Sequence, residues 1–294
     1  MKISRAFSLV EISIVILIVG VLVAGMTEGS KLFKKSKLRT ARAMTKASYA
    51  ASVEDMILWL DATAEGSMVN VSGLATVQND EKIQTWNDVN PQVISKYSFV
   101  QSTDANRPLY KDNGINGLPT LYFNADGTQT NGNALYSIFT FPSDQITIFV
   151  VMRPIVAANN GYIFDAFCSS PSTRIYLLQS PTYKVSLSTN GGGITDGSSA
   201  TLNKNYVYSA TANASSGIIY RNGTQTISGT ISHAAFTANF NNKGFIIGAF
   251  SNGDSTSNFD GYISEMILYS RVLETEERKE IEKYLGKKYG IQVS

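Results

Sequence analysis

Ile218-Ile219-Tyr220-Arg221-Asn222-Gly223-Thr224-Gln225-Thr226-Ile227 reads as two extended runs joined by a two-residue turn. The Asn-Gly pair tolerates the positive φ that a type I′ turn imposes, and that turn matches the twist of paired strands. Outward from this hairpin the same pattern recurs. Short alternating or apolar runs occur at 96–100, 119–123, 146–152, 162–165, 174–179, 183–188, 206–211, 244–249 and 261–269. Asn116-Gly117, Asp126-Gly127, Asn190 through Gly193 and Asn252-Gly253 punctuate them. Strands at this spacing, with no helical pattern between them, predict an all-β sandwich or jelly roll. One helix follows at 274–288, acidic at its start and basic at its finish as the macrodipole favours. Residues 58–294 are enough to enclose one large core.

The other end of the chain has a different composition. A short basic leader, residues 1–6, precedes Phe7-Ser8-Leu9-Val10-Glu11, and an almost purely apolar run continues to Met26. From Phe7 this is about 20 residues, which as a helix crosses a bilayer core. Glu11 is out of place there, since a carboxylate at that depth costs on the order of 2.5–3.5 kcal/mol and calls for a partner. Beyond the apolar run the chain keeps a helical composition to about Trp59, with a stripe at Leu38, Ala41, Met44, Ala47 and Ala51. The sequence therefore divides into a leader at 1–6, a transmembrane and stalk helix at 7–57, and a β domain at 58–294. Charge follows the same division. Residues 1–59 hold nine Lys/Arg against four Asp/Glu, a net of +5, and the remainder holds 16 against 19, a net of −3. A weakly acidic head on a basic stalk does not suggest nucleic acid as its partner.

The leader, the block FSLVE and the retained apolar run resemble the N-terminal segment of type IV pilins and pseudopilins. The resemblance implies cleavage between Ala6 and Phe7 by a prepilin peptidase and N-methylation of Phe7. It also implies pairing of Glu11 with the new terminal amine of a neighbour during filament assembly. Ala6 stands where that family usually has glycine, and the helix lacks the proline common in its apolar half. Basic residues flank the apolar run on both sides, and the small residues at Val23-Ala24-Gly25 suit an ordinary signal cut, which would leave no membrane helix.

A second resemblance covers the head. Leu58-Trp59-Leu60-Asp61-Ala62, Trp86-Asn87-Asp88, Arg107-Pro108-Leu109-Tyr110, Asn116-Gly117-Leu118-Pro119 and the tail FDGYISEMILYSRVLETEERKEIEKYLGKKYGI resemble the bacterial laminin-G-like, concanavalin A-like domains. The implied fold is α+β: a long N-terminal helix, a concanavalin A-like jelly-roll sandwich and a short C-terminal helix. Members of that family bind glycans or proteins, sometimes with calcium. The combined expectation is a filament subunit that displays a lectin-like domain for adhesion or glycan contact. Its partners would be copies of itself or other pilins, the peptidase, and a glycan or surface-protein ligand. It would reside in a bacterial inner membrane and then in a periplasmic or extracellular filament. A pseudopilin of a secretion or DNA-uptake apparatus, or a membrane-anchored binding protein that never polymerises, remains an alternative.

No catalytic constellation stands out. The E-x-D-x-x-E run of sandwich glycoside hydrolases is absent, and Asp260 and Glu265 are five apart, which on a regular strand puts them on opposite faces. One histidine, His233, and one cysteine, Cys168, supply neither a metal cluster nor a disulfide. The chain is therefore read as a binding protein rather than an enzyme. Calcium is the one cofactor considered: Asn124 and Asp126 in one loop, with Asn252 and Asp254 in another, could supply oxygen ligands if the loops met.

Overall fold

The computed structural model describes residues 9–74, 76–124, 132–138, 143–156, 160–166, 175–189, 192–231, 244–250 and 257–294. Compactness separates residues 1–40 from residues 41–294. Helix α1 runs Leu9–Lys46, 38 residues, and its apolar side chains from Leu9 to Met26 are exposed. At 1.5 Å per residue it is about 57 Å long. It is shorter than the helical composition suggested. The chain turns at Ala47-Ser48, makes a 3₁₀ turn at Tyr49–Ser52 and enters strand β1, Met56–Asp61. Strand pairing overrides helix propensity here, because Met56 through Asp61 lie opposite Glu265 to Tyr269. Residues 41–57, assigned from sequence to the stalk, thus belong to the compact head: Ala41, Ala50, Val53 and Met56 are buried in its core.

Among the described residues the head is a two-sheet sandwich. One sheet of eight strands runs β15 (Thr224–Thr230), β14 (Ser216–Arg221), β13 (Tyr206–Ala212), β8 (Ile146–Val156), β17 (Asp260–Tyr269), β6 (Leu118–Phe123) and β5 (Leu109–Ile115). β17 shares its second edge, pairing with β6 through residues 261–263 and with β1 through residues 265–269. The hairpin expected at 218–227 is β14–β15, with Asn222 and Gly223 at φ 51° and 83° as a type I′ turn requires. The other sheet has nine strands in the order β12 (Gly192–Thr195), β11 (Val185–Thr189), β10 (Ile175–Gln179), β9 (Gly161–Ala166), β16 (Phe245–Ile247), β7 (Leu135–Ser137), β4 (Ser98–Val100), β3 (Ile83–Asn87) and β2 (Met68–Asn70).

Two cores result. The first lies between the sheets and contains Trp86, Phe99, Phe123, Phe164 and Phe245, each fully buried. The second lies on the outer face of the eight-stranded sheet, under helix α2 (Thr275–Tyr289). There Ile281, Leu285 and Tyr289 of the helix join Phe149, Ile267 and Tyr269 of the sheet. α2 starts where Glu277 accepts the Glu274 amide at 2.9 Å, and ends at Gly290 in the left-handed conformation. One face of one sheet is therefore largely closed.

Candidate functional site

The strand registers carry one row of residues across all nine strands of the second sheet: Val69, Thr85, Val100, Tyr136, Ile246, Asp165, Tyr176, Ser188 and Gly193 are successive cross-strand partners. Cross-strand partners project to the same side of a sheet. Their chain neighbours Trp86, Phe99, Leu135, Phe245, Ile175 and Leu187 fill the core between the sheets, so the row faces outward. Its middle is covered: Ile246 and Asp165 have 0% exposure and are out of reach of solvent. Tyr136 and Tyr176 flank that middle and are half-buried.

More aromatic surface lies beside it. The Tyr162 ring sits 5.2 Å from Tyr176 and 4.9 Å from Phe250, centroid to centroid. On the other flank Ala134, Ile246 and Ala249 form a small apolar cluster with Tyr136 packed against it. Burial raises the Tyr136 hydroxyl above its ordinary pKa, with a Gln101 hydrogen bond opposing, so it stays a neutral donor at physiological pH. Tyr136 and Tyr176, half-buried on either side of that covered middle, are ring surfaces suited to an amphipathic ligand with an apolar face and hydroxyl edges, as a sugar ring has.

A cluster of buried charges lies elsewhere, under α2. Lys288 donates to Asp61 at 2.8 Å, Glu265 at 2.6 Å and the Thr45 hydroxyl at 2.8 Å. Glu265 also accepts from Trp59 Nε1, Tyr284 and Tyr289 at 2.8, 2.7 and 2.9 Å. Asp61 holds the amide and hydroxyl of Thr63 at 2.8 and 2.7 Å. Asp61, Glu265 and the Lys288 side chain have 0% exposure. Every carboxylate oxygen is occupied and none is reachable from solvent, which describes a structural clamp rather than a hydrolytic pair.

Asp260 and Glu265 share a face of β17 despite their five-residue spacing. β17 has a bulge at Ser264, where Ile263 and Glu265 face successive residues of β8. The extra residue resets the alternation, so Asp260, Tyr262 and Glu265 share the outer face while Ile263 and Met266 point into the core. The acids still serve different neighbourhoods. Asp260 accepts from Tyr122 at 3.4 Å, whereas Glu265 belongs to the clamp.

Glu11 lies in the exposed apolar part of α1. Ala6, Phe7, Asp126, Cys168, His233, Asn252 and Asp254 lie outside the described residues. Asn124 is exposed, its amide donating to the Asn133 side chain at 2.9 Å. Gly261 lies opposite Phe123, so the strands that bound the two proposed calcium loops are neighbours at one end of their sheet. No group of three or more His, Cys, Asp or Glu suited to a metal ion occurs among the described residues. The outward row was not anticipated from sequence. Its signal was the tyrosines at 136, 162 and 176, whose common face emerges only once register is known.

Residues 126–277 match the family described as the concanavalin A-like lectin/glucanases superfamily. No curated protein matches the chain. Among solved structures it is similar to the receptor-binding domain of botulinum neurotoxin type G, at 14% identity and a TM-score of 0.53, covering 79% of this chain and 52% of that one. It is also similar to a Trypanosoma rangeli sialidase bound to 2,3-difluoro-KDN, at 15% identity and a TM-score of 0.50, covering 90% of this chain and 41% of that one. The chain spans only 32% of the length of another sialidase structure from the same organism. At these identities the likeness concerns the fold. The two-sheet architecture and the match across more than half of its length place this chain in the concanavalin A-like lectin/glucanase superfamily.

Proposed function

We propose that this chain is a membrane-anchored subunit whose sandwich binds glycans through the outer face of the nine-stranded sheet. The observation that carries the reading is the outward row, in which the half-buried Tyr136 and Tyr176 rings lie on either side of a covered middle. Membership of a superfamily named for lectins and glucanases supports it. Binding is favoured over hydrolysis because the paired carboxylates Asp61 and Glu265 are sealed under α2. A glycan array probed with the full-length chain in detergent tests the proposal. Tyr136→Ala and Tyr176→Ala should each weaken binding by roughly three- to ten-fold, the loss of one aromatic contact of about 0.5–1.5 kcal/mol. Undiminished binding by both variants would remove this face from consideration.

For the anchor, α1 is long and apolar enough to cross a membrane, and its apolar window has 0% burial. We assign it the part of a pilin-type helix: inserted in the inner membrane first, then packed against other copies in a filament. Cleavage after Ala6 would leave Phe7 as the new terminus, four residues from Glu11. An intramembrane carboxylate is stabilised by such an amine partner. Glu11→Ala should abolish filaments while membrane insertion persists, checked by electron microscopy alongside membrane fractionation. Intact mass of the extracted protein should correspond to a chain beginning at methylated Phe7. An uncut Met1 terminus would instead indicate a tethered binding protein that does not polymerise.

A further inference from the structure

The outer face of the eight-stranded sheet has a second cluster, beyond the reach of the clamp. β17 sets Tyr262 opposite Arg153 of β8 on one side and opposite Tyr122 of β6 on the other. The Arg153 guanidinium lies 4.2 Å from the centre of the Tyr262 ring. The Tyr262 and Tyr122 rings are 4.9 Å apart and tilted by 31°. All three side chains are half-buried. Lys111 approaches Tyr122 from the far side, its ammonium 5.8 Å from the ring centre.

Among the described residues, Arg153 is a half-buried arginine that no carboxylate faces. Arg107, Arg221, Arg271 and Arg278 each hold a carboxylate, and Lys111 holds Asp80. Arg153 has no hydrogen-bond or ion-pair partner among the described residues, and its Nε–H is buried and unmatched. A buried charged donor left unmatched is more costly than a neutral one. Stacking on Tyr262 holds the guanidinium plane in place, so its N–H fork is preorganised for a planar anion. Asp260 is close by, but it is 8% exposed and accepts from Tyr122. Burial, with the Asp260 charge adding to it, pushes the Tyr122 hydroxyl up to about 12, so it remains a neutral donor.

We infer that Arg153, Tyr262 and Tyr122 form a second binding site, which takes a carboxylated sugar. The carboxylate engages the Arg153 fork in the bidentate manner of arginine–carboxylate pairs, and the sugar ring lies against the two tyrosines. The site is on the opposite sheet from the Tyr136–Tyr176 row, so it stands or fails independently of that row.

The test uses the full-length chain in detergent, in buffer free of phosphate and sulfate, with trigalacturonate and its neutral methyl ester as matched probes. The wild-type chain should bind the acid about ten-fold more tightly than the ester, the scale of one charge-assisted bidentate contact. Arg153→Gln should erase that preference with its melting temperature unchanged, and Tyr262→Ala should weaken both probes. Tyr136→Ala and Tyr176→Ala should leave the preference intact. Equal binding of acid and ester, absence of binding, or an unaltered preference in Arg153→Gln would overturn the assignment. So would capture of phosphatidylglycerol vesicles with no trisaccharide binding.

Discussion

Replacing Lys288 with Met is expected to lower the stability of the head by about 3–5 kcal/mol, because it leaves two buried carboxylates without their shared cation. Met matches the lysine stem in volume, so the loss comes from charge and hydrogen bonding rather than a cavity. For a domain of this size each kcal/mol moves the midpoint by roughly 2–4 °C, which gives a fall of about 6–20 °C by calorimetry. Adding Asp61→Asn and Glu265→Gln to Lys288→Met should recover part of the loss, since the stranded charges then disappear. A single variant that melts with the wild type would mean that the clamp contributes nothing to folding.

The same cluster gives stability a pH dependence with a defined sign. It contains two carboxylates and one ammonium, an excess of one negative charge. Burial raises Glu265 above the ordinary 4.5, Asp61 adds to the effect, and Lys288 opposes it. A carboxyl whose folded pKa is raised contributes fully below its unfolded value and loses that contribution as pH climbs through the raised value. Burial lowers Lys288, but Asp61 and Glu265 outweigh it, leaving the ammonium above the ordinary 10.5. Its contribution is therefore present below 10.5 and lost at more alkaline pH. From pH 4.5 upward the wild type should lose melting temperature more steeply than Glu265→Gln. Parallel curves would contradict the charge count.

Phe245→Ala should cost a comparable amount, about 3–5 kcal/mol, by emptying the middle of the core between the sheets. Phe245 lies parallel to Phe164, with centroids 5.1 Å apart and 2° between planes, and meets Phe99 edge-on at 5.7 Å. These three rings join β16, β9 and β4. All are fully buried, so the surroundings have little freedom to collapse into the space. Urea unfolding should show the shift in midpoint with an unchanged slope. A loss below 1 kcal/mol would mean that the core is loosely packed there.

Much of the architecture could be read along the chain. The Asn222-Gly223 hairpin, the apolar runs in β8, β13 and β17 and the capped helix α2 all follow from local rules. The end of α1 did not, since the residues after Lys46 have helical composition and become β1 only because β17 is there to pair with. Strands of three residues, such as β2 and β7, are too short for periodicity to register. The bulge at Ser264 defeated a parity argument that holds on a regular strand. The tyrosine row and the Arg153 cluster are products of register, drawn from positions far apart in sequence and invisible to any window along it.

β1 finds its partner in β17, about 200 positions downstream, and Thr45 meets Lys288 243 residues away. Closing so large a loop gives little return until both ends are present, which slows folding. A ribosome would therefore have to release everything through β17 before the first strand of the head could dock. The earliest segment of the head thus waits longest for its partner strand.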